Sequence, residues 1–186
     1  MIHTYSTRND LIDKDHGNCT GCIMNIYDFL HEHGIVYERY DHEAVYTCEQ
    51  ADALDIPGTA AKTKNLFLRD RKGRRHFLVT VGADKTVDIK ALEECVGVKG
   101  LSFASAQRLG EYLGLTPGSV TILGVINDER NAVEVVVDKV LWSRDSMQCH
   151  PLVNTSTLVI ARDDIKRFLD ITGHEVCIMD VPSRNT

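Results

Sequence analysis

The chain has 186 residues, 43% of them hydrophobic, and a formal net charge of −6 at pH 7. This length suits one domain that buries its core without disulfides or metal, and the acidic balance argues against a broad basic surface for gripping nucleic acid. No apolar run approaches the roughly 20 residues that cross a bilayer, and no targeting segment is evident at the N-terminus. We therefore expect a soluble, cytoplasmic protein without a membrane partner, whose six cysteines are reduced.

The order of predicted elements indicates the fold class. Residues 1–21 lack apolar periodicity and are predicted to be a flexible extension, so that the domain spans residues 22–186. From there we predict a helix over 26–33, a strand over 35–40, a short helix over 47–54, a hairpin of strands 65–69 and 76–81, helices over 89–95 and 106–113, strands over 120–126, 133–138 and 157–161, a helix capped by Asp163 and a strand over 175–179. Strands 120–126 and 133–138 are expected to form a second hairpin. Because helices interrupt the strands irregularly, we predict the α+β class, with a mixed sheet and peripheral helices.

Positive charge is concentrated in one segment of this acidic chain. Between residues 62 and 75 seven residues are basic and only Asp70 is acidic. Such a run is commonly the solvated surface of a hairpin. The functional alternative is a local contact with phosphates.

Two polar motifs beside predicted strands are the candidates for chemistry. Lys64 and Asn65 open a buried strand, and His150, followed by Pro151, comes about 85 residues later. A cation, a carboxamide and an imidazole that converge on one cleft can handle a charged or ester-linked substrate. We expect the stretch from Gly124 to Asn127 to meet them there, which makes an enzyme the leading hypothesis.

Four sequence blocks extend these motifs over most of the chain. They read GTAAKTKNLFL at 58–68, LGLTPGSVT at 113–121, GVIND at 124–128 and HPLVNT at 150–155. In content and order they resemble the YbaK-type aminoacyl-tRNA deacylases, and most closely the free-standing branch associated with prolyl-tRNA synthetase. The resemblance implies a single domain with a largely antiparallel, partly barrel-like mixed sheet. It also implies that the chain hydrolyses alanine mischarged onto proline tRNA.

The resemblance further implies roles for individual residues. Lys64 would hold the phosphate or ribose of the terminal adenosine, and Asn65 would fix the ribose or the ester. Main-chain amides near Gly124 and His150 would serve the carbonyl oxygen, and His150 would make the pocket too small for proline. Further substrate contacts are expected at Lys62, Phe67, Ile122, Asn127, Pro151, Asn154 and Thr155. No metal or cofactor is expected, and the expected partners are the tRNA acceptor end and prolyl-tRNA synthetase.

One local departure concerns the pocket wall. Where the family often has Thr-Pro-Phe-Gly, this chain has Thr121, Ile122, Leu123 and Gly124. The amino acid removed therefore stays open between alanine and another small residue such as serine, threonine or 2-aminobutyrate.

Three alternatives remain open from the sequence. The Cys19–Cys22 pair has the CxxC spacing of a zinc or redox site, although no second pair exists. Cys149 or Cys48 with His150 would make a cysteine hydrolase, but adjacent residues on a strand point to opposite faces. A domain of the same fold that only binds tRNA ends or a partner protein is the third alternative.

Overall fold

A computed structural model describes residues 4–6, 25–44 and 56–184. Within these ranges the helices are α1 (Ile26–Glu32), α2 (Ile89–Cys95), α3 (Ala106–Leu113), a 3-10 helix (Ile122–Asn127), α4 (Lys139–Trp142) and α5 (Arg162–Ile171). The strands are β1 (Thr4–Ser6), β2 (Tyr37–Asp41), β3 (Ala61–Arg69), β4 (His76–Gly82), β5 (Ser102–Phe103), β6 (Val133–Asp138), β7 (Ser146–Cys149), β8 (Ser156–Ala161) and β9 (Val176–Met179). The predicted helix over 47–54 lies outside the described residues. No helix in the described ranges is long and apolar enough to cross a membrane.

The strands form one mixed sheet in the order β1-β2-β8-β7-β3-β4-β6-β9, and β5 pairs with β3. Strand β3 is parallel to β7, while β6 is parallel to both β4 and β9. The other pairings are antiparallel, which confirms the α+β class and the mixed sheet. The hydrogen-bonded path through the described strands stays open rather than closing into a barrel.

Two hydrophobic cores lie on opposite faces of this sheet. Along β3, Phe67 packs in the first core, whereas Leu66 and Leu68 pack in the second. This alternation is the two-residue period of a strand. In the centre of the sheet β4 is buried along nearly its whole length, which explains its continuous apolar run. We use the name first core for the cluster that contains Phe67, and second core for the cluster that contains Leu68.

Several local predictions are confirmed by hydrogen bonds at the ends of elements. Asp88 caps α2, with its side chain accepting from two main-chain amides, and Ser105 caps α3. Gly114 ends α3 at a φ of 62°, a conformation that glycine adopts without strain. At the turn of the β3–β4 hairpin, Oδ1 of Asp70 accepts from the amide of Arg74 at 2.7 Å.

Other predictions are wrong for identifiable reasons. The apolar run predicted as a strand over 120–126 contains the 3-10 helix Ile122–Asn127 instead. Its residues 122–125 are buried, and a buried apolar run is compatible with a strand as well as with a short helix. The second hairpin is therefore absent, because β6 pairs in parallel with β4 and β9. Asp163 lies inside the first turn of α5, and the residue at the N-cap is Ala161.

The N-terminal stretch contributes to the sheet. Thr4–Ser6, which the sequence assigned to an extension, pairs as β1 with β2. The domain therefore draws on residues before position 22.

Candidate active site

Parallel pairing of β3 with β7 brings the two polar motifs together. Lys62 lies opposite Gln148 in the register, and Thr63 Oγ1 donates a hydrogen bond to the Gln148 carbonyl at 2.6 Å. Both strands run in the same direction, so Lys64 and His150 each lie two residues beyond this pair. The pairing thus brings together the two segments that carry Lys64 and His150.

Their side chains also share one face of the sheet. Ala61 and Phe67 on β3, and Met147 and Cys149 on β7, belong to the first core. The alternating residues on the same strands therefore point to the opposite face. We call this the polar face, and its members are Lys62, Lys64, Gln148, His150, Thr157 and His42, the last placed by its hydrogen bond to Thr157.

His150 is held as a neutral imidazole with one defined free acceptor. Its Nδ1 lies 3.2 Å from the carbonyl oxygen of Ser156. A carbonyl can only accept, so Nδ1 carries the proton and Nε2 presents a lone pair. Burial lowers the pKa of His150, the bond to Ser156 partly opposes this, and the neighbouring His42 ring lowers it further. The ring is therefore a hydrogen-bond acceptor at neutral pH.

His42 is a candidate that the sequence analysis missed. Its Nδ1 donates to the carbonyl of Glu43 at 2.7 Å, and its Nε2 is hydrogen-bonded to the hydroxyl of Thr157 at 2.9 Å. Thr157 is buried and lies between β2 and β7 in the sheet. The sequence does contain a signal for this contact, because Thr157 starts the apolar run of β8 and a buried hydroxyl needs a hydrogen-bond partner.

The loop 150–155 between β7 and β8 forms a rigid wall beside this face. Pro151 is buried, and Leu152 packs against the first core. Leu152 has a φ of 67°, which is a strained conformation for a residue other than glycine. The main chain of Thr155 accepts from the amide of His42, and Asn154 is partly buried. The predicted contacts at 151, 154 and 155 therefore lie on one loop fixed at several points.

Lys64 presents its charge at the edge of the polar face. Its Nζ donates to the carbonyl of Ala83 at 3.2 Å, which is the hydrogen bond its ammonium makes within the described ranges. An ammonium has three donors, so two remain for a ligand. Lys62 lines a neighbouring cleft, and its own carbonyl accepts from the amide of Ala83.

The side chains of Asn65 and Phe67 lie on the other face of β3. Asn65 Oδ1 accepts from the hydroxyl of Thr80 at 2.8 Å, and Thr80 is fully buried. Phe67 is a residue of the first core and stacks on His76, with ring centroids 5.7 Å apart. The structure therefore does not bring these two side chains to the polar face.

The main chain of Asn65, by contrast, points toward the His150 loop. The bond from the Ala83 amide to the Lys62 carbonyl shows which residues of β3 bond to β4. In an antiparallel pair, successive residues direct their main-chain groups alternately toward the partner strand and away from it. Asn65 therefore directs its N–H and C=O away from β4, as Phe67 does toward Ala104. On that edge neither β7 nor β5 pairs with Asn65. A main-chain donor is thus available beside Lys64 and His150.

A comparison with protein families identifies the class of this arrangement. Residues 42–168 match the family model described as aminoacyl-tRNA editing domain. The match covers more than half of the chain and includes His42, Lys64 and His150. The chain belongs to this family. Membership confirms the predicted resemblance and the predicted class of enzyme, an aminoacyl-tRNA deacylase.

Individual relatives of the editing domain agree. The "Prolyl-tRNA editing protein ProX" of Acetoanaerobium sticklandii is 43% identical over 145 residues, which cover 78% of this chain and 88% of that protein. The "Prolyl-tRNA synthetase associated domain-containing protein 1" of Danio rerio is 33% identical over 154 residues, covering 82% of this chain and 83% of that protein. A crystal structure described as a candidate trans-editing enzyme for prolyl tRNA synthetase superposes with a TM-score of 0.64 at 16% identity, over 90% of this chain and 100% of that chain. That structure shows the fold alone.

Three predicted site residues of the editing domain have structural contacts instead. Ile122 belongs to the first core, Gly124 is buried next to Leu113 and Leu115, and the Gly124 amide already donates to the Thr121 carbonyl. Asn127 Nδ2 donates to the carbonyl of Leu113 at 2.8 Å, at the end of α3. These contacts hold the 3-10 helix against the first core, and the oxyanion contact at Gly124 and the pocket wall at Ile122 stay predictions.

Burial of Cys149 bears on the alternative of a cysteine hydrolase. Cys149 is buried in the first core, and burial raises the pKa of its thiol to about 12. It faces away from His150, so the two do not form a nucleophile and base pair. Cys19, Cys22 and Cys48 lie outside the described residues. Among those described, no three metal-binding side chains cluster together.

We predict that Gly124→Ala destabilises the fold by about 1–3 kcal/mol through overpacking. An added Cβ would lie 2.7 Å from Cδ1 of Leu115 and 3.6 Å from Cβ of Leu113. Gly110→Ala, at an exposed position of α3, is the matched control, since the nearest atom to an added Cβ is 4.0 Å away, and it should stabilise the fold by roughly 0.5–1 kcal/mol. Urea denaturation measures both, and equal stability of Gly124→Ala and the wild type would contradict the packing described.

Proposed function

We propose that this chain acts in trans to hydrolyse the ester of alanine mischarged onto proline tRNA, and that it spares proline by the size of its pocket. The observation that carries the proposal is the β3–β7 pairing, which brings the segments of Lys64 and His150 together on one polar face, with the Nδ1 of His150 bonded to the Ser156 carbonyl. The relative named as a prolyl-tRNA editing protein supports the choice of tRNA. We place the activity in the cytoplasm, with prolyl-tRNA synthetase as a further candidate partner.

The reaction needs positioning more than a strong nucleophile. A water attacks the ester carbonyl, the bond between that carbon and the ribose oxygen breaks, and one proton of the water passes to the leaving ribose oxygen, which becomes a hydroxyl. The free amino acid and the uncharged tRNA are the products. Holding water and ester in one geometry lowers the barrier of such a reaction substantially. The ribose hydroxyl that does not carry the ester orients the water.

The two side chains divide the recognition of the substrate. Lys64 donates a charge-assisted hydrogen bond to a phosphate or ribose oxygen of the terminal adenosine. His150 Nε2 accepts a hydrogen bond from the α-ammonium group of the amino acid. His42 and Thr157 act through His150, because they fix the surroundings of its ring.

The developing negative charge requires a donor, and the main chain of β3 supplies one. The Asn65 N–H points to the edge of β3 that faces the His150 loop. A fixed main-chain donor of this kind stabilises an oxyanion by about 3–4 kcal/mol. Asn65 replaces Gly124 in this role.

Size exclusion explains how proline escapes. A synthetase gains only about 1–3 kcal/mol from an added methylene, so it cannot readily reject the smaller alanine. A second, smaller site can exclude the larger residue by steric clash, provided that the wall of the site does not move. The buried Pro151, the strained Leu152 and the Nδ1 bond of His150 keep this wall in place.

Lys64→Ala is expected to lower single-turnover deacylation of alanyl-tRNA(Pro) by about 100-fold or more, because the charged contact is lost. Lys72→Ala is the matched control, since Lys72 is exposed at the far turn of the same hairpin. Circular dichroism should show both variants folded. Wild-type turnover in Lys64→Ala would refute the role of this lysine. If the wild type spares alanine but hydrolyses a serine, threonine or 2-aminobutyrate ester, the amino acid is wrong and the reaction stands.

His150→Ala is expected to weaken the rejection of larger amino acids. Removing the ring opens the wall beside the aminoacyl group, so the ratio of alanine to proline hydrolysis should fall by about 10-fold or more. The comparison uses alanyl-tRNA(Pro) and prolyl-tRNA(Pro) under single-turnover conditions. An unchanged ratio would show that His150 does not form the wall.

Asn65→Pro tests the main-chain donor. Proline removes the N–H that points away from β4 and leaves the β3–β4 bonds intact, while Asn65→Ala removes only the side chain. We expect Asn65→Pro to be at least about 10-fold slower than Asn65→Ala at saturating enzyme, with both variants folded. Equal rates would exclude this N–H as the oxyanion donor.

A further inference from the structure

A cleft of about 740 Å³ lies beside the polar face, although it contains neither Lys64 nor His150. Its walls come from the start of β3, the segment after β4, helix α4 and the residues near the C-terminus. The charged residues that line it are Lys62, Asp84, Lys85, Asp138, Arg144 and Arg184. No single stretch of sequence contains this set.

The cleft is positive in a chain that is otherwise acidic. Lys85 Nζ binds Oδ1 of the buried Asp138 at 2.6 Å, so this pair neutralises itself. The four basic and two acidic residues of the lining give a formal charge of +2, whereas the whole chain carries −6. The side chains of Arg144 and Arg184 are exposed and make no hydrogen bond or ion pair with residues in the described ranges.

The cleft adjoins the proposed reaction site through Lys62 and Ala83. The Ala83 carbonyl that accepts from Lys64 Nζ belongs to a residue of the cleft wall. Lys62 belongs to both the polar face and the cleft. A ligand whose end lies against Lys64 can therefore extend directly into the cleft.

The basic segment over residues 62–75 does not provide an alternative binding surface for a ligand that extends from Lys64. Its residues from Arg71 onward lie at the turn of the hairpin, at the opposite end of β3 from Lys62. At about 3.3 Å per residue, that turn is roughly 20 Å from Lys64. Arg75 there is already paired with Glu134 at 2.6 Å. Only Lys62 and Lys64 of the segment are near the site.

We propose that this cleft binds the sugar-phosphate backbone of the acceptor strand, and that Arg144 and Arg184 contact its phosphates. The proposal rests on the proposed deacylase function, because it assumes that the aminoacyl end lies at Lys64. A strand that carries its ester there must leave the site past Lys62. Exposed guanidinium groups without partners bind phosphate oxygens well, and a few such contacts suffice for one end of a tRNA.

The double variant Arg144→Ala, Arg184→Ala tests the cleft in single-turnover deacylation of alanyl-tRNA(Pro). The enzyme concentration at half-maximal rate should rise by about 10-fold or more, while the rate at saturation stays within about twofold. Each lost phosphate contact lowers the slope of log affinity against log salt by about 0.7–0.9. The control Arg71→Ala, Arg74→Ala removes the same charge at the hairpin turn and should leave both quantities near the wild type. Equal effects of the two double variants would overturn the proposal.

Two further measurements separate the cleft from the chemistry. Hydrolysis of 3′-alanyl-adenosine, which has no acceptor strand, should be unaffected by Arg144→Ala, Arg184→Ala, and an equal loss on this small ester would overturn the proposal. Fluorescence anisotropy with uncharged tRNA(Pro) measures binding without turnover. If the wild type hydrolyses no ester, the proposed deacylase function fails. Weaker tRNA binding by the Arg144→Ala, Arg184→Ala variant, but not by the control, would still support the cleft as the binding site of the acceptor strand.

Discussion

The site depends on a short parallel pairing between β3 and β7. Only the register from Ala61 and Met147 to Lys62 and Gln148 is formed, supported by the bond from Thr63 Oγ1 to the Gln148 carbonyl. This pairing brings together the segments that carry Lys64 and His150, although the two residues are far apart in the chain. Because β7 then leaves β3, the edge at Asn65 stays unpaired. A longer pairing of β3 with β7 would have occupied the Asn65 N–H, which the proposed mechanism requires as a donor.

The alternation of β-strands separates chemistry from packing. Ala61 and Phe67 of β3 pack in the first core, and Lys62 and Lys64 face the other way. The same division places Cys149 in the core and His150 on the polar face. Recognition by fixed contacts then depends on rigidity. It is provided by the strained Leu152 and by the carbonyl of Ser156, which keeps the acceptor nitrogen of His150 exposed to the ligand.

The sequence predicted local features well and long-range geometry poorly. Asp88 and Ser105 carry their own capping chemistry, so the starts of α2 and α3 were predictable. The buried run from Ile122 was ambiguous, because a strand and a short helix bury the same apolar residues. Motif resemblance predicted roles for Lys64, His150 and Gly124, and packing against Leu115 gives a structural reason for the glycine. The cleft could not be predicted, since Lys62 and Arg144 meet only through tertiary structure.

The central claim is that the aminoacyl end of the tRNA lies against the polar face. It is tested most directly by 15N NMR of the histidine rings with a non-hydrolysable amide analogue of 3′-alanyl-adenosine. The account predicts that Nε2 of His150 is unprotonated in the free protein and changes its shift on binding, while Nδ1 stays protonated. His174, which is buried against Asp128 on β6's side of the sheet, should not respond. Saturable binding that leaves the His150 ring unchanged would contradict the account.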